Sequence, residues 1–168
     1  MITLRINSTL FSQMVADLRR PHEYAHERVG FMFSRQSALR SGNLLLAYKY
    51  APIRDDQYLE DCTVGARFDG SCIREAMQTA LTEGCSVFHV HLHEHKGQPR
   101  FSGIDTREMQ QIMPCFVNLR PDRLHGALVL SLDSAFARIW GTDLQPNGQT
   151  PDRLSLVGAH TKLWVVAL

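Results

Sequence analysis

The sequence has almost no charge bias. Eighteen lysines and arginines stand against 17 aspartates and glutamates, for a net charge of +1. That balance supplies neither the basic patch of a nucleic-acid binder nor attraction to an anionic membrane, so neither partner is expected. Long hydrophobic runs are missing too: no apolar stretch approaches the roughly 20 residues a membrane helix needs. The opening "MITLRINSTLF" has no long apolar segment behind a basic start, so the expectation is a cytoplasmic protein without a signal peptide. There are only four cysteines, Cys62, Cys72, Cys85 and Cys115. None form a Cys-x-x-Cys pair, which removes the common zinc frameworks and leaves reduced, mostly buried thiols. Internal repeats, low-complexity tracts and linkers are also absent. A chain of 168 residues, 44% of them hydrophobic, is therefore read as one domain spanning 1–168 with its own core.

The apolar periods predict the elements. Residues 2–6 alternate as a strand. Asn7 or Ser8 then caps a helix whose stripe is Leu10, Phe11, Met14, Val15 and Leu18, and which ends at Pro21. Residues 27–35 form a strand with Val29, Phe31 and Phe33 on one face and Gly30 and Met32 on the other. Residues 43–53 form the next strand, and 54–62 is a polar connection. Asp69 caps a helix that Gly84 stops. Residues 85–93 are a strand rich in β-branched and aromatic side chains. A helix runs from near Ile104 to Pro114. A hairpin turns around Asp133 and Ser134, and two further strands, 153–159 and 162–168, follow. Strands and helices mixed in this order predict an α+β sheet protein.

The chemistry is concentrated in "HVHLHEHKGQPRFSGID", residues 89–105. His89, His91, His93 and His95 fall at every second position. In a strand, residues two apart share a face with their Cα atoms roughly 6.5–7 Å apart, so two imidazoles can converge on one ion. Alternating histidines could equally be the solvated face of a sheet. The loop that follows favours a metal, because Gly97 and Pro99 let the chain turn back and place Asp105 in the first turn of the next helix. There the helix dipole favours an ionised carboxylate. Two histidines and an aspartate leave one position open for water, the arrangement of a catalytic zinc.

These residues resemble a known pattern. "HLH" at 91–93, then "SGID" at 102–105, with "ERVG" at 27–30 far upstream, is similar to the motif of the JAMM metalloproteases, the JAB/MPN family of zinc isopeptidases. The resemblance covers about residues 22–140. It implies a JAB/MPN fold: a curved, mostly antiparallel sheet flanked by helices, like that of cytidine deaminases. It implies one catalytic Zn²⁺ held by His91, His93 and Asp105, with His89 in support behind them or as the alternative ligand paired with His91. It puts Glu27 in the role of general base and Ser102 in that of oxyanion donor, although Ser102 could instead cap the helix. Two departures stand out: Glu94 replaces the proline that usually follows the second histidine, and the loop to Ser102 is one residue longer than the commonest spacing.

The substrate the resemblance implies is a ubiquitin-like modifier, cleaved after its C-terminal glycine to free a conjugate or to process a precursor. The compact chain further resembles small bacterial members found beside E1-like and E2-like proteins in antiphage conjugation operons, which would be its partners. The alternatives are a catalytically silent binding module of the same type, or a JAMM hydrolase for sulfur-carrier proteins or small peptides.

Overall fold

The computed structural model describes residues 1–61, 63–159 and 161–164. Cys62 and the last four residues of the expected strand at 162–168 lie outside the described residues. The described elements make a mixed α+β domain with three helices and one large sheet.

The first strand, β1 (Ile2–Asn7), runs into α1 (Ser8–Leu18) with a cap between them: the Asn7 side chain accepts the Leu10 N–H at 2.8 Å. Leu10, Met14 and Leu18 bury one face of α1, each contributing about 1.5–3 kcal/mol of burial. β2 (Val29–Leu39) and β3 (Gly42–Pro52) form a hairpin with a bulge between Phe33 and Ser34. After a short 3₁₀ turn come β4 (Tyr58–Leu59) and β5 (Arg67–Phe68), a small separate pair. α2 (Ser71–Glu83) starts where Asp69 accepts the Ser71 N–H at 2.6 Å and stops at Gly84, whose φ of 63° is the left-handed conformation that glycine adopts without strain. Then follow β6 (Ser86–Leu92), α3 (Gly103–Leu119), β7 (His125–Leu130), β8 (Ala135–Trp140), β9 (Arg153–Val157) and β10 (Lys162–Trp164).

The large sheet has the order β10-β9-β1-β3-β2-β6-β7-β8. Antiparallel pairing holds in four of the seven neighbour pairs, but the sheet is mixed: β1 pairs in parallel with both β3 and β9, and β6 with β7. The helices explain this. α3 carries the chain back along the sheet so that β7 can run beside β6 in the same direction, as a crossover must. The sheet is also curved until its ends approach each other. The Trp164 indole N–H of β10 donates to the Asp133 carbonyl in the β7–β8 turn at 3.2 Å.

Two cores lie on the two faces of the sheet. On one, α1 covers Leu4, Ile6, Met32, Leu45, Phe88, Val90 and Leu128. On the other, α2 and α3, the latter through Met109, Met113 and Phe116, cover Val29, Phe31, Phe33 and Val87. The alternation expected for β2 is therefore observed, with Val29, Phe31 and Phe33 facing α2 and α3 and Met32 facing α1.

Three expectations need correction. Glu27 does not open β2, which begins at Val29. Glu27 precedes it in irregular chain and donates its backbone N–H to the Gly65 carbonyl at 3.0 Å, a loop partner in place of a neighbouring strand. α3 does not end at Pro114 but runs on to Leu119. Proline costs the helix a hydrogen bond, but Met113 and Phe116 are fully buried on either side of it, and that burial outweighs the loss. The connection at 54–62 is not simply polar. Tyr58 is buried, and its hydroxyl accepts the Val29 N–H at 2.9 Å and donates to the Val29 carbonyl at 3.1 Å. Arg28 is buried beside it at 1% exposure, pairs with Asp55 and lies over the Tyr58 ring. Of the cysteines, Cys72 and Cys85 are buried and Cys115 is exposed. Among the described residues no helix is long and apolar enough to cross a membrane.

Candidate metal centre

β6 sits inside the sheet between β2 and β7, with all seven of its residues buried. Its two-residue period divides it cleanly. Phe88, Val90 and Leu92 enter the α1 core. Val87, His89 and His91 point to the other side, toward α3. His93 follows just past the strand end, still held by its N–H to the Leu130 carbonyl at 2.9 Å. The histidine rings follow one another outward, tilted against each other, with 5.9 Å between the His89 and His91 centroids and 4.9 Å between His91 and His93.

The loop after β6 is anchored to the β7–β8 turn. Asp133 accepts the Gly97 N–H at 2.8 Å, and the Ser131 hydroxyl donates to the Gly97 carbonyl at 2.7 Å. Gly97 has a φ of 91°, a conformation side chains resist. The loop then delivers Phe101 near His91 and opens α3 with a capping box. Ser102 Oγ accepts the Asp105 N–H at 3.1 Å, and Asp105 Oδ2 accepts the Ser102 N–H at 2.6 Å. This box fixes the direction of the Asp105 carboxylate, which lies 3.5 Å from His91 Nε2 and 3.8 Å from His93 Nε2. From the other side, Glu27 Oε1 comes within 3.9 Å of His93 Nε2.

Glu27, His91, His93 and Asp105 thus offer four donor atoms that all lie within 4.8 Å of one another. Four donors around a tetrahedral zinc at 2.0–2.1 Å stand about 3.3–3.4 Å apart, close to the spacings found here. His91 is 2% exposed, and neither of its ring nitrogens has a hydrogen-bond partner among the described residues. A buried imidazole left this way costs free energy unless something fills its coordination. The electrostatics suit a cation as well. Burial pushes His93 below the ordinary histidine value, with His91 adding to the effect, so its imidazole is neutral and free to ligate at pH 7. Burial alone would raise the Asp105 carboxyl, but the His91 imidazole and the Ser102 N–H outweigh it and hold the group well below the usual carboxylate range.

His89 stands outside this group of four. It is 2% exposed, packs near Phe31 and Phe68, and also lacks a hydrogen-bond partner on either nitrogen. Burial takes its pKa down to about 3, so it is a neutral group behind the ligand candidates. His95 is exposed at the rim. Ser102 does cap the helix. That bond uses an oxygen lone pair, so the hydroxyl proton remains free to donate into the cleft that Ser102 also lines. Glu94 is exposed and pairs with Arg19 at 3.3 Å.

The cleft in front of the four donors has a volume of about 500 Å³. Sequence reasoning missed several of its walls. His26 and Gly65 line it, and a side chain at Gly65 would start 3.0 Å from Glu27 Oε2, so the bare backbone lets the loop pass close to that carboxylate. Glu108 lines it too. The three-residue steps from Ser102 to Asp105 to Glu108 were the available signal for that residue.

No protein-family model matches the chain, and no curated protein sequence does. Among solved structures, the N-terminal domain of STIL from Trichoplax adhaerens matches with a TM-score of 0.43 and 10% identity, over 82% of this chain and 41% of that one. A likeness at that score carries no argument about this chain.

Proposed function

We propose that this protein is a zinc-dependent peptidase or isopeptidase of JAMM type that cleaves after the C-terminal glycine of a ubiquitin-like modifier. The observation that carries the reading is the convergence of Glu27, His91, His93 and Asp105 at one point of an open cleft, from three separate stretches of chain in the order of the JAMM pattern. The mixed sheet with helices on both faces is compatible with the JAB/MPN architecture that pattern implies. The setting we propose with it is a bacterial antiphage conjugation system in the cytoplasm, with E1-like and E2-like proteins as partners; this rests on the sequence resemblance alone.

His91, His93 and Asp105 would hold the zinc, which when bound acidifies water and polarises a carbonyl. Glu27 is the group left over for proton transfer. Its side chain is 41% exposed against 12% for Asp105, so it stands at the mouth, where a water and the scissile bond arrive. It takes the proton from the attacking water and passes it to the leaving amine. Ser102 donates its hydroxyl proton to the carbonyl oxygen as charge builds there, while its oxygen keeps the Asp105 N–H in place.

The test is Glu27→Ala. The variant should retain about one zinc per chain, as the parent does, and lose roughly 10²–10⁴-fold in turnover of a ubiquitin-like fusion. Loss of the metal in this variant would make Glu27 a ligand and remove it from the base role. Offering a short glycine-containing peptide beside the fusion separates a modifier-specific enzyme from a peptide hydrolase. Full partner binding by a zinc-free parent would instead identify a silent binding module.

A further inference from the structure

The cleft carries more carboxylates than the metal and the base account for. Glu27, Glu94, Asp105 and Glu108 line it, and no lysine or arginine does. Three of the four are committed. Asp105 faces His91 and His93 and closes the capping box with Ser102. Glu27 faces His93. Glu94 is paired with Arg19. Glu108 has no hydrogen bond or ion pair among the described residues.

Its place in the fold makes that gap meaningful. Glu108 lies one turn beyond Asp105 on α3, so the helix presents both carboxylates to the same cleft. It is half-buried. Burial first, and then the carboxylates of Asp105 and Glu27, push its carboxyl up. A charge pair formed there is screened less than one on open surface. An independent group in the same cleft is also without a partner among the described residues: His89, nine-tenths buried and more, with neither ring nitrogen hydrogen-bonded. A neutral imidazole offers one donor and one acceptor, and both are left unused at the wall of the cleft.

We infer that the cleft recognises a substrate carrying a cationic side chain, arginine or lysine, beside the scissile bond, and that Glu108 is the specificity-determining carboxylate that pairs with it. The inference rests on the peptidase reading above and names the substrate class of that same site. A divalent ion cancels two of the four negative charges in the cleft, Arg19 answers Glu94 at the rim, and the substrate's cation answers Glu108.

The experiment uses zinc-loaded Glu27→Gln protein, in which turnover is suppressed, and four Gly-Gly isopeptides to lysine. They carry arginine or glutamine either next to the Gly-Gly on the acyl side or next to the acylated lysine on the amine side. Calorimetric titration should show one arginine peptide binding about tenfold tighter than its glutamine partner, the equivalent of about 1.4 kcal/mol. Adding Glu108→Gln should bring that ratio to near one, and Glu108→Lys should invert it, with zinc content and Tm as in the parent. Equal affinity for all four peptides, no binding of any, or a preference that survives Glu108→Gln would overturn the inference. Cleavage is scored separately on the unsubstituted protein. Discrimination without cleavage leaves cation recognition standing and sinks the peptidase reading; cleavage without discrimination does the reverse.

Discussion

His125 and His91 sit on neighbouring strands, both buried, and they differ in one respect. His125 on β7 is fully satisfied. Its Nδ1 accepts the Val87 N–H at 3.2 Å, its Nε2 lies 3.2 Å from the Arg120 carbonyl, and its ring stacks on Phe116. One neutral tautomer, with the proton on Nε2, meets every partner. His91 on β6 has no hydrogen-bond partner on either nitrogen among the described residues and faces Asp105 across 3.5 Å. The first ring has been given everything a structural histidine needs. The second has been brought to the edge of a cleft and left open, which the fold tolerates because a ligand can complete it.

Substitutions should keep these two apart. The largest effect on stability is expected at His125. Its pKa is pushed down to about 4 by burial, so the folded state refuses a proton that the unfolded chain accepts near pH 6.5. The contribution is therefore fully present above pH 6.5 and is lost as the pH falls from about 6.5 to about 4, by about 3 kcal/mol in all. Denaturant melts across that range should show the loss in the parent and a flatter profile in His125→Phe, with zinc content unchanged. A profile of equal slope in the two proteins would mean that His125 takes up its proton freely in the fold.

His89→Ala sharpens the same contrast from inside the site. The variant should lose about 1–3 kcal/mol from the cavity it leaves beside Phe31 and Phe68, measured by denaturant unfolding, and keep its zinc. Zinc loss here together with normal zinc in His93→Ala would move the ligand pair two residues down the strand. The smallest effect is expected at Ser102→Ala. Removing the cap should cost about 1 kcal/mol, while turnover of a ubiquitin-like fusion falls by about 10²–10³-fold if the hydroxyl also serves the carbonyl oxygen. A stability loss with turnover intact would leave Ser102 as a cap alone.

Much of this was legible in the sequence, because local rules govern it. The period of two along β6 put Val87, His89 and His91 on one face, and the Gly97 and Pro99 loop returned Asp105 to them. Asn7, Asp69 and Gly84 marked helix ends by chemistry that acts within a few residues. What stayed hidden depends on distant partners. The parallel pairing of β1 with β3 and β9 is set by chain crossovers. Glu27 takes its position from the Gly65 carbonyl, and within the polar-looking segment 54–62 Tyr58 is buried, its hydroxyl bonding the backbone of Val29. Arg28, inside the strand expected at 27–35, is buried against Asp55 and Tyr58, a partnership that only the fold brings about. Pro114 read as a stop only because the burial of Met113 and Phe116 could not be seen. Glu108 was overlooked because the three-residue step that puts it on the same side of α3 as Asp105 does not say that this side lines a cleft.

The most direct test of the central claim is metal analysis of the purified parent beside His91→Ala and His125→Phe. The account predicts about one zinc per chain in the parent and in His125→Phe, and almost none in a folded His91→Ala. A parent without zinc, or a His91→Ala variant that keeps its full share, would contradict it.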